Sequence, residues 1–310
     1  MIALLAPGQG AQSPGMLAPW LALEGAQARV ATWSTATGLD LARLGTTADA
    51  EEIKDTAVTQ PLVVALSLLA AEELARRMDL PADAPVAGHS VGELAAAAVA
   101  GVLTADEAVP LAAVRGREMA AACALEPTGM SAVLGGDPDE VTAALARLGL
   151  DPANRNGAGQ VVAAGSIDAL EALAQDKPDR ARVVPLRVAG AFHTRFMASA
   201  EQALADYAAR LTAKDPSHPL LSNADGEVVD EGVEMLRRLV AQVTKPVRWD
   251  CCMARLGTLG VTATVELPPA GTLSGLVKRD LKGTITVTLK DPEDLDQVAG
   301  LISDHSGSPA

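Results

Sequence analysis

Short apolar runs alternate with longer helical patterns along most of the 310 residues of the chain. Apolar runs of about four to eight residues bounded by turn residues are typical of buried strands, whereas the longer patterns indicate helices. This alternation at both ends of the chain predicts a largely parallel sheet covered by helices. The predicted strands are residues 1–6, 84–90, 219–223, 261–267 and 284–289, and the predicted helices are residues 60–78, 92–101, 104–124, 197–213, 232–243, 249–258 and 271–282.

The middle of the chain has a different order of elements. Two helical patterns lie among four strand-like runs, with the strands at 130–136, 151–156, 161–165 and 181–188 and the helices at 137–149 and 166–176. This β-α-β-β-α-β order is ferredoxin-like and closes a small sheet with two helices. We therefore predict a compact subdomain of residues 127–188, inserted into an α/β domain that residues 1–126 and 189–310 form together.

Several residues indicate where helices begin and end. Thr104 and Glu107 form a T-x-x-E capping box, and Ser166 is placed to cap a second helix. Pro110 lies inside the helix that follows Thr104, where it should kink the helix or shift its start. The last residues, 303–310, have the composition of a frayed tail.

Charge and composition narrow the classes of function. With 25 Lys and Arg against 39 Asp and Glu, the net charge is −14, which argues against a nucleic-acid-binding protein. Three cysteines are too few for a disulfide framework, and they lack metal-ligand spacing. The N-terminus has no basic signal-peptide segment, and no apolar run approaches a bilayer span without charges or helix breakers. We expect a cytoplasmic protein that does not act at a membrane.

The stretch Gly88-His89-Ser90-Val91-Gly92 has the form G-x-S-x-G. In this pattern a serine on a sharp strand-to-helix turn becomes a nucleophile. A predicted strand precedes the stretch and a predicted helix follows it, so the positive end of the helix dipole points at the serine. The alternative is a chance occurrence in a glycine-rich chain, and the strand–turn–helix setting argues against it.

A serine nucleophile needs a base to take its proton, and the chain has four histidines. His305 in the tail and His218 in a polar loop are interpreted as solvated. His89 is adjacent to Ser90 in sequence, so its side chain should point elsewhere and pack or hydrogen-bond within the turn. His193 follows a strand and precedes a helix, where its imidazole could reach the serine. A purely structural role for His193 is the alternative.

An oxyanion hole needs backbone N–H groups directed at the developing negative charge. The amide of Val91, directly after the serine, is one candidate. The second would come from the sequence PGQGAQ at 7–12, whose glycines allow close approach. Glycine-rich loops after strands are common, so this second motif is weak evidence by itself.

Six motifs occur in order along the chain: PGQGAQ at 7–12, TQP at 59–61, GHSVGE at 88–93, an arginine at 115, GAFH at 190–193 and PVRW at 246–249. Together they resemble the malonyl-CoA:acyl-carrier-protein transacylases, the acyltransferases of fatty-acid and polyketide synthesis. The resemblance runs from residue 3 to about residue 289. It implies an α/β, hydrolase-like large domain with a largely parallel sheet, interrupted by a ferredoxin-like small subdomain.

The resemblance implies a role for each matching residue. Ser90 corresponds to the acylated serine and His193 to its base. The family has no carboxylate as a third member, and the backbone carbonyl that orients the histidine corresponds to Gln242. Gln9 and Val91 correspond to the residues whose amides form the oxyanion hole.

The resemblance also implies that Arg115 holds the free carboxylate of the substrate. Independently, Arg115 lies four residues from both Leu111 and Met119, on an apolar face of a predicted helix. A guanidinium in that position needs an anionic partner, and its planar fork suits a carboxylate. An intrahelical pair with Glu118 is the alternative interpretation.

Further pocket residues are expected from the resemblance. Asn154 and Asn156 align with a segment that lines the pocket, and we expect Asn156 and Met119 to contact substrate. Phe192 occupies a position that is bulky for malonyl and small for methylmalonyl in the related modular enzymes, so malonyl is favoured. Residues 266–271, ELPPAG, depart from the E-x-G-P-G found in many members, and no catalytic function is expected there.

The expected reaction is a ping-pong transfer of malonyl from malonyl-CoA to acyl carrier protein through a malonyl-Ser90 intermediate, without a metal or a cofactor and by a monomer. Two alternatives come from other classes of protein. One is a serine esterase or thioesterase with the same turn, and the other is a non-catalytic module that binds a carrier protein.

The carrier proteins of this family are acidic, so docking onto a chain with a net charge of −14 should depend on a local basic patch. The candidate residues for this patch are Lys245, Arg248, Lys278, Arg279 and Lys282. Ordinary surface charges are the alternative interpretation of these five residues.

Overall fold

The computed structural model describes residues 1–157 and 159–306, which form a six-stranded and a four-stranded sheet with helices packed against them. The strands are β1 (Ile2–Ala6), β2 (Val86–Gly88), β3 (Thr128–Gly135), β4 (Asp151–Gly157), β5 (Gln160–Ser166), β6 (Ala181–Pro185), β7 (Leu220–Leu221), β8 (Val228–Val229), β9 (Ala263–Glu266) and β10 (Ile285–Thr288). The α-helices are α1 (Ala26–Thr37), α2 (Leu41–Thr46), α3 (Thr56–Ala75), α4 (Gly92–Val99), α5 (Ala105–Cys123), α6 (Pro138–Arg147), α7 (Ile167–Gln175), α8 (Ala198–Ala208), α9 (Gly232–Ala241), α10 (Trp249–Thr258), α11 (Thr272–Asp280) and α12 (Leu295–Ser306).

The six-stranded sheet has the order β10-β9-β1-β2-β7-β8, and every neighbouring pair is parallel except β7 with β8. Alternate residues of β1 face opposite sides of this sheet. Ile2 and Leu4 pack into the core that includes α3 and α5, whereas Ala3 and Leu5 pack with α10 and α11. Because both faces are covered, β1 is apolar throughout. The predicted α/β fold with a largely parallel sheet is confirmed.

The four-stranded sheet has the order β4-β5-β3-β6, with every neighbouring pair antiparallel. Helix α6 connects β3 to β4 and α7 connects β5 to β6, so the predicted ferredoxin-like arrangement is present. Val133, Leu145 and Leu173 belong to a separate apolar core between these helices and the sheet. Its strands span residues 128–185, inside the predicted range of 127–188, and the division of the chain into domains stays a prediction.

Helix α3 is buried at the centre of the larger core. It begins at Thr56, earlier than the predicted residue 60, because the Asp55 side chain accepts the N–H of Ala57 at 2.8 Å and caps it. By length and composition α3 could cross a membrane, but 78% of its most apolar window is buried inside the protein. Burial on all sides accounts for its apolar composition.

The predicted helix ends agree with the structure in some places and differ in others. The backbone N–H of Thr104 donates to the Glu107 carboxylate at 2.8 Å in the predicted capping box, and Ser166 caps α7. Helix α5 continues through Pro110 from its start at Ala105, so the proline does not shift that start. The expected tail is wrong for residues 303–306, which belong to α12, and residues 307–310 lie outside the described part of the chain.

Parallel strands end at the same edge of a sheet, which brings two of the singled-out segments together. Ala6 at the end of β1 pairs with Gly88 at the end of β2. The loop that begins at Pro7 and the turn that contains Ser90 therefore leave the sheet side by side. The four-stranded sheet faces this edge. There, Asn154 of β4 pairs with Val247 in an isolated parallel β-bridge.

Candidate active site

Ser90 stands between β2 and α4 with a φ of 54°, in the left-handed region that non-glycine residues rarely adopt. Its N–H donates to Asn223 Oδ1 at 2.8 Å, which helps to hold this conformation. A Cβ on Gly88 would lie 2.1 Å from the carbonyl oxygen of Gly92, and a Cβ on Gly92 would lie 2.3 Å from that of Ala6. Both glycines of the G-x-S-x-G pattern are therefore required by close contacts with backbone.

The side chains of Ser90 and His193 meet at this turn. Ser90 Oγ lies 2.8 Å from His193 Nε2, and His193 Nδ1 donates to the backbone oxygen of Gln242 at 2.8 Å. Because a carbonyl oxygen only accepts, the neutral imidazole carries its proton on Nδ1 and leaves Nε2 free to take the serine proton. This geometry suits a serine nucleophile with a histidine base.

His193 is enclosed, with 3% of its surface exposed. Burial first, and the positive charge of Arg115 second, lower the pKa of His193 to about 3, against the opposing effect of the Gln242 carbonyl. The imidazole is consequently neutral near pH 7, in the form that accepts a proton. Its backbone has a φ of 61°, and Thr194 fixes the loop by donating from Oγ1 to the Ala191 carbonyl at 2.7 Å.

The amides of Gln9 and Val91 flank the serine from two different elements. Neither N–H has a hydrogen-bond acceptor within the described residues, so both are free to bind an oxyanion. The loop after β1 lies tightly against the serine turn, because a Cβ on Gly8 would be 2.6 Å from the His89 carbonyl oxygen. An oxyanion role for the two amides stays a prediction.

Arg115 is the principal charge in the site and is 2% exposed. Its Nη1 donates to Gln60 Oε1 at 2.6 Å, and its Nη2 donates to Gln242 Oε1 at 2.8 Å and to Ser90 Oγ at 3.4 Å. All three acceptors are neutral groups, and no ion pair to Arg115 is present in the described part of the chain. Burial lowers the pKa of Arg115 to about 10, so the guanidinium remains charged at neutral pH. A buried cation with only neutral partners favours an anionic ligand.

The alternative pairing for Arg115 is not observed. The Glu118 carboxylate forms its ion pair with Arg117 at 2.9 Å instead. Gln60 Nε2 is directed towards Met119 Sδ at 3.5 Å, which turns the Gln60 oxygen towards Arg115. The hydrogen bonds of the Arg115 guanidinium within the described residues thus go to amide and hydroxyl oxygens.

A cavity of about 320 Å³ opens above these groups, between the edge of the six-stranded sheet and the four-stranded sheet. It is lined by Gln9, Ser90, Arg115, Met119, Asn154, Asn156, Phe192 and His193 from the predicted set, and by Gln60, Met130, Leu273, Leu276 and Arg279 among others. Val91 and Gln242 are not among the lining residues, and Gln242 contacts Arg115 through its side chain and His193 through its backbone oxygen. The structure therefore brings the predicted site residues to one place, while their roles stay predictions.

The His89 side chain points away from the Ser90 hydroxyl, and it contacts residues of the cavity wall. His89 Nε2 donates to Asn156 Oδ1 at 2.9 Å, and the His89 ring packs edge-on against Trp249 at 5.5 Å. His89 therefore supports the cavity wall rather than the serine. His218 and His305 contact only nearby groups outside the cavity.

Three polar residues of the site have no role predicted from the sequence: Gln60, Glu93 and Asn223. Each is at most 1% exposed. Gln60 and Glu93 lie in the motifs TQP and GHSVGE, and each is a polar residue within an otherwise apolar buried helix, but neither pattern indicates what the side chain contacts. Asn223 had no comparable signal, since it follows a short strand, and its hydrogen bond to Ser90 joins residues 133 positions apart.

The part of the chain that the structure describes holds no group of three or more His, Cys, Asp or Glu side chains that could bind a metal ion. The segment ELPPAG serves packing there: both Glu266 oxygens accept backbone N–H groups, from Leu273 at 2.9 Å and Ser274 at 2.8 Å. Glu266 thus anchors the start of α11, whose residues line the cavity.

Comparisons of sequence and of structure with known proteins all identify acyltransferases. A family model described as "Acyl transferase domain" matches residues 4–308. A malonyl CoA-acyl carrier protein transacylase of Mycobacterium tuberculosis is 61% identical over 302 residues, which cover 97% of this chain and 100% of the relative. The crystal structure of MCAT from the same species aligns with a TM-score of 0.94 and 60% identity, over 96% of this chain and 99% of that one.

A further solved structure contains both partners of a reaction. It is described as a type II PKS acyl-carrier protein in complex with its malonyl-transacylase, and it aligns with a TM-score of 0.89 and 28% identity. The alignment covers 97% of this chain and 99% of the solved one.

The lowered pKa of His193 is testable by NMR titration of the imidazole nitrogens, with the His193→Ala variant used to assign the signals. Because the pKa is about 3 in the folded protein, His193 should stay neutral from pH 8 to pH 5, where a free imidazole titrates near about 6.5. A titration midpoint near 6.5 would contradict the enclosed, Arg115-facing environment described above.

Proposed function

Since the chain belongs to the acyl transferase domain family, we propose that it transfers a malonyl group from malonyl-CoA to the phosphopantetheine thiol of an acyl carrier protein. The observation that carries this proposal is the buried guanidinium of Arg115, which faces the same cavity as the Ser90–His193 pair and has only neutral partners. Relatives named as malonyl CoA-acyl carrier protein transacylases support it. The product would be an extender unit for fatty-acid or polyketide synthesis.

In the first half-reaction, His193 Nε2 takes the proton of Ser90 Oγ while that oxygen attacks the thioester carbonyl of malonyl-CoA. The amides of Gln9 and Val91 stabilise the oxyanion of the tetrahedral intermediate. The intermediate collapses as the C–S bond breaks, and His193 returns the proton to the departing CoA thiol. Malonyl remains as an ester on Ser90, with its free carboxylate on Arg115.

The second half-reaction is the reverse chemistry with a different thiol. The phosphopantetheine thiol gives its proton to His193 and attacks the ester carbonyl. The Ser90–acyl bond breaks, and His193 returns the proton to Ser90 Oγ. All of these steps use side chains and backbone amides, so the proposal includes neither a metal nor a cofactor, and the active species is a cytoplasmic monomer without a nucleic-acid or membrane partner.

The substrate carboxylate has a second effect in this scheme. The positive charge of Arg115 lowers the pKa of His193, and a bound carboxylate offsets that charge. The malonyl group therefore strengthens the base that acts on it. Phe192, which is 7% exposed and lines the cavity, leaves little room for a branch beside the thioester, so malonyl is favoured over methylmalonyl.

A serine esterase would use the same turn but has no use for a buried cation, and a binding module would form no acyl-enzyme. These alternatives separate in one experiment. Intact mass spectrometry after mixing the protein with malonyl-CoA alone should show one malonyl adduct, absent from Ser90→Ala, that moves to acyl carrier protein when the carrier is added. Absence of the adduct, or its loss to water without transfer, would contradict the proposal.

Arg115→Ala should lower the rate of acylation by malonyl-CoA on the order of 100-fold, since a buried charged hydrogen bond is lost. Acylation by acetyl-CoA, which has no carboxylate, should fall far less. Arg117→Ala, on the exposed side of the same helix, is the matched control and should acylate normally. Equal losses with both acyl groups would show that Arg115 does not select the carboxylate.

Docking of the carrier protein is assigned in this proposal to the exposed cations of α11. Lys278 and Arg279 lie at the end of the helix that also contributes Leu273 and Leu276 to the cavity wall, and Arg279 lines the cavity itself. Lys282 follows the helix. Lys245 and Arg248, the other two candidates, are less suitable, because Arg248 is paired with Asp250 at 2.9 Å and Lys245 lines a different cavity.

Reversing both charges with Lys278→Glu and Arg279→Glu should raise the KM for an acidic carrier roughly tenfold, because local attraction is replaced by repulsion. The rate of Ser90 acylation at saturating malonyl-CoA should change far less than the KM for the carrier, although Arg279 lines the cavity. The control reverses Arg147 and Lys177, which are exposed on the four-stranded side and lie outside the cavity. An unchanged KM for the carrier, or a rise only in the KM for malonyl-CoA, would contradict this docking surface.

A further inference from the structure

Glu93 is a buried carboxyl group that the reaction described above does not use. It lies in the first turn of α4, three residues after Ser90, and is 1% exposed. Glu93 Oε1 accepts the backbone N–H of Asn223 at 2.5 Å, and Oε2 accepts a hydrogen bond from Gln242 Nε2. No basic side chain forms an ion pair with it among residues 1–157 and 159–306. Burying a carboxyl group costs free energy unless hydrogen bonds compensate for the lost water. The two hydrogen-bond partners of Glu93 therefore indicate what the group does.

The first partner, Gln242, has an amide whose orientation matters. The Arg115 guanidinium only donates, so the amide has to present Oε1 to it, at 2.8 Å. This turns Nε2 towards the opposite side, where one N–H reaches the Ser90 carbonyl oxygen at 3.1 Å and the other reaches Glu93. The Glu93 carboxylate therefore supplies the acceptor that makes this orientation the fully hydrogen-bonded one.

The second partner, Asn223, holds the turn itself. Its Oδ1 accepts the N–H of Ser90 at 2.8 Å, and its Nδ2 donates to the Gly88 carbonyl at 2.7 Å. Asn223 thus bridges the residues around the left-handed Ser90, and its own backbone N–H is fixed on Glu93. One carboxyl group connects the serine turn with the Gln242 amide that holds Arg115.

We propose that ionised Glu93 is a positioning residue for the acyl-transfer reaction, which fixes the Gln242 amide towards Arg115 and holds Asn223 beneath the serine turn. This inference rests on the proposed function of the site. Glu93 touches neither substrate nor the reacting atoms, and it acts through two neutral side chains. Protonation of the carboxyl would weaken one of its two accepted hydrogen bonds, because one oxygen would then carry a proton, and the Gln242 amide would be held less firmly towards Arg115.

The groups that surround Glu93 determine the pH range in which its carboxyl group titrates. Burial raises the pKa of Glu93 to about 8, whereas its two hydrogen bonds and the charges of Arg115 on α5 and Arg238 on α9 act in the opposite direction. The third titratable group is the Cys252 thiol on α10, whose own pKa is raised by burial and by Glu93. Because the pKa of His193 is about 3, that residue does not titrate between pH 6 and pH 9. As the pH rises through this range, Glu93 loses its proton, and its carboxylate then accepts the hydrogen bonds from Gln242 and Asn223.

The test measures single-turnover acylation of Ser90 by malonyl-CoA and by acetyl-CoA from pH 6 to pH 9, in wild type, Glu93→Gln and Glu93→Asp. Wild-type acylation by malonyl-CoA should rise with an inflection near pH 8. Glu93→Gln should lose that inflection and react about 10- to 100-fold more slowly at pH 9, since small misplacements have effects of this size. The loss should be larger with malonyl-CoA than with acetyl-CoA, because Arg115 is displaced. Glu93→Asp keeps the charge and should restore part of the rate together with the inflection.

Two controls separate positioning from other causes. Glu171→Gln changes an exposed carboxylate on α7 in the same way and should match wild type. In a Gln242→Ala background, Glu93→Gln should have a much smaller effect on malonyl selectivity, because the amide through which it acts is gone.

The proposal is overturned if Glu93→Gln keeps the wild-type rate and pH profile. It is also overturned if the variant slows equally with both acyl groups while its melting temperature falls, which indicates only a structural role. Should Glu93→Gln fail to fold, Glu93→Asp replaces it, and a wild-type rate with both acyl groups in that variant overturns the proposal. Failure of the proposed function is distinct, since wild type would then form no malonyl-Ser90 adduct at any pH.

Discussion

One residue, Gln242, contacts the base, the buried cation and the backbone of the nucleophile. Its backbone oxygen accepts from His193, its side-chain oxygen accepts from Arg115, and its side-chain nitrogen donates to the Ser90 carbonyl. These contacts come from a short 3₁₀ segment, Gln242–Thr244, that follows α9. Because a base, a substrate cation and a nucleophile are all held by one residue, displacing it changes their relative positions together.

The electrostatics of the site follow from enclosing a cation beside a base. Arg115 and His193 are both buried, and the pKa of His193 is held low first by its own burial and second by the guanidinium charge, which reaches the imidazole with little screening. In the proposed reaction a dicarboxylic acyl group brings a negative charge to Arg115, whereas acetyl does not. In that scheme, selectivity for malonyl would arise from binding at Arg115 and from the resulting change in the basicity of His193.

The sequence was sufficient for the fold class and for the family, and both are confirmed. Strongly apolar strands such as β1 and β9, and the ferredoxin-like order of the middle segment, have local signals that determine their type. The apolar pattern predicts a start at residue 60, whereas α3 starts at Thr56, because the Asp55 cap is not visible in that pattern. The terminal helix α12 was missed, although Leu295, Val298 and Ile302 pack against the main core at helical spacing.

The residues of the site also fall into those that the sequence predicts and those that it does not. Ser90 could be predicted from its motif, because backbone atoms close to Gly88 and Gly92 leave no room for a Cβ at either position, so the turn has a local sequence pattern. The partners of its supporting network could not, since Asn223 and Glu93 are joined across 130 positions of chain. Local patterns identify groups that react, whereas the groups that hold them in place are determined by tertiary structure.

The most direct measurement is a crystal structure of the wild-type protein soaked briefly with malonyl-CoA in the absence of a carrier. We expect an ester on Ser90 Oγ, with its carbonyl oxygen at the amides of Gln9 and Val91. Its free carboxylate should lie on Arg115, with the Gln242 amide oxygen still on the guanidinium. An acyl group attached elsewhere, or a malonyl carboxylate directed away from Arg115, would contradict it.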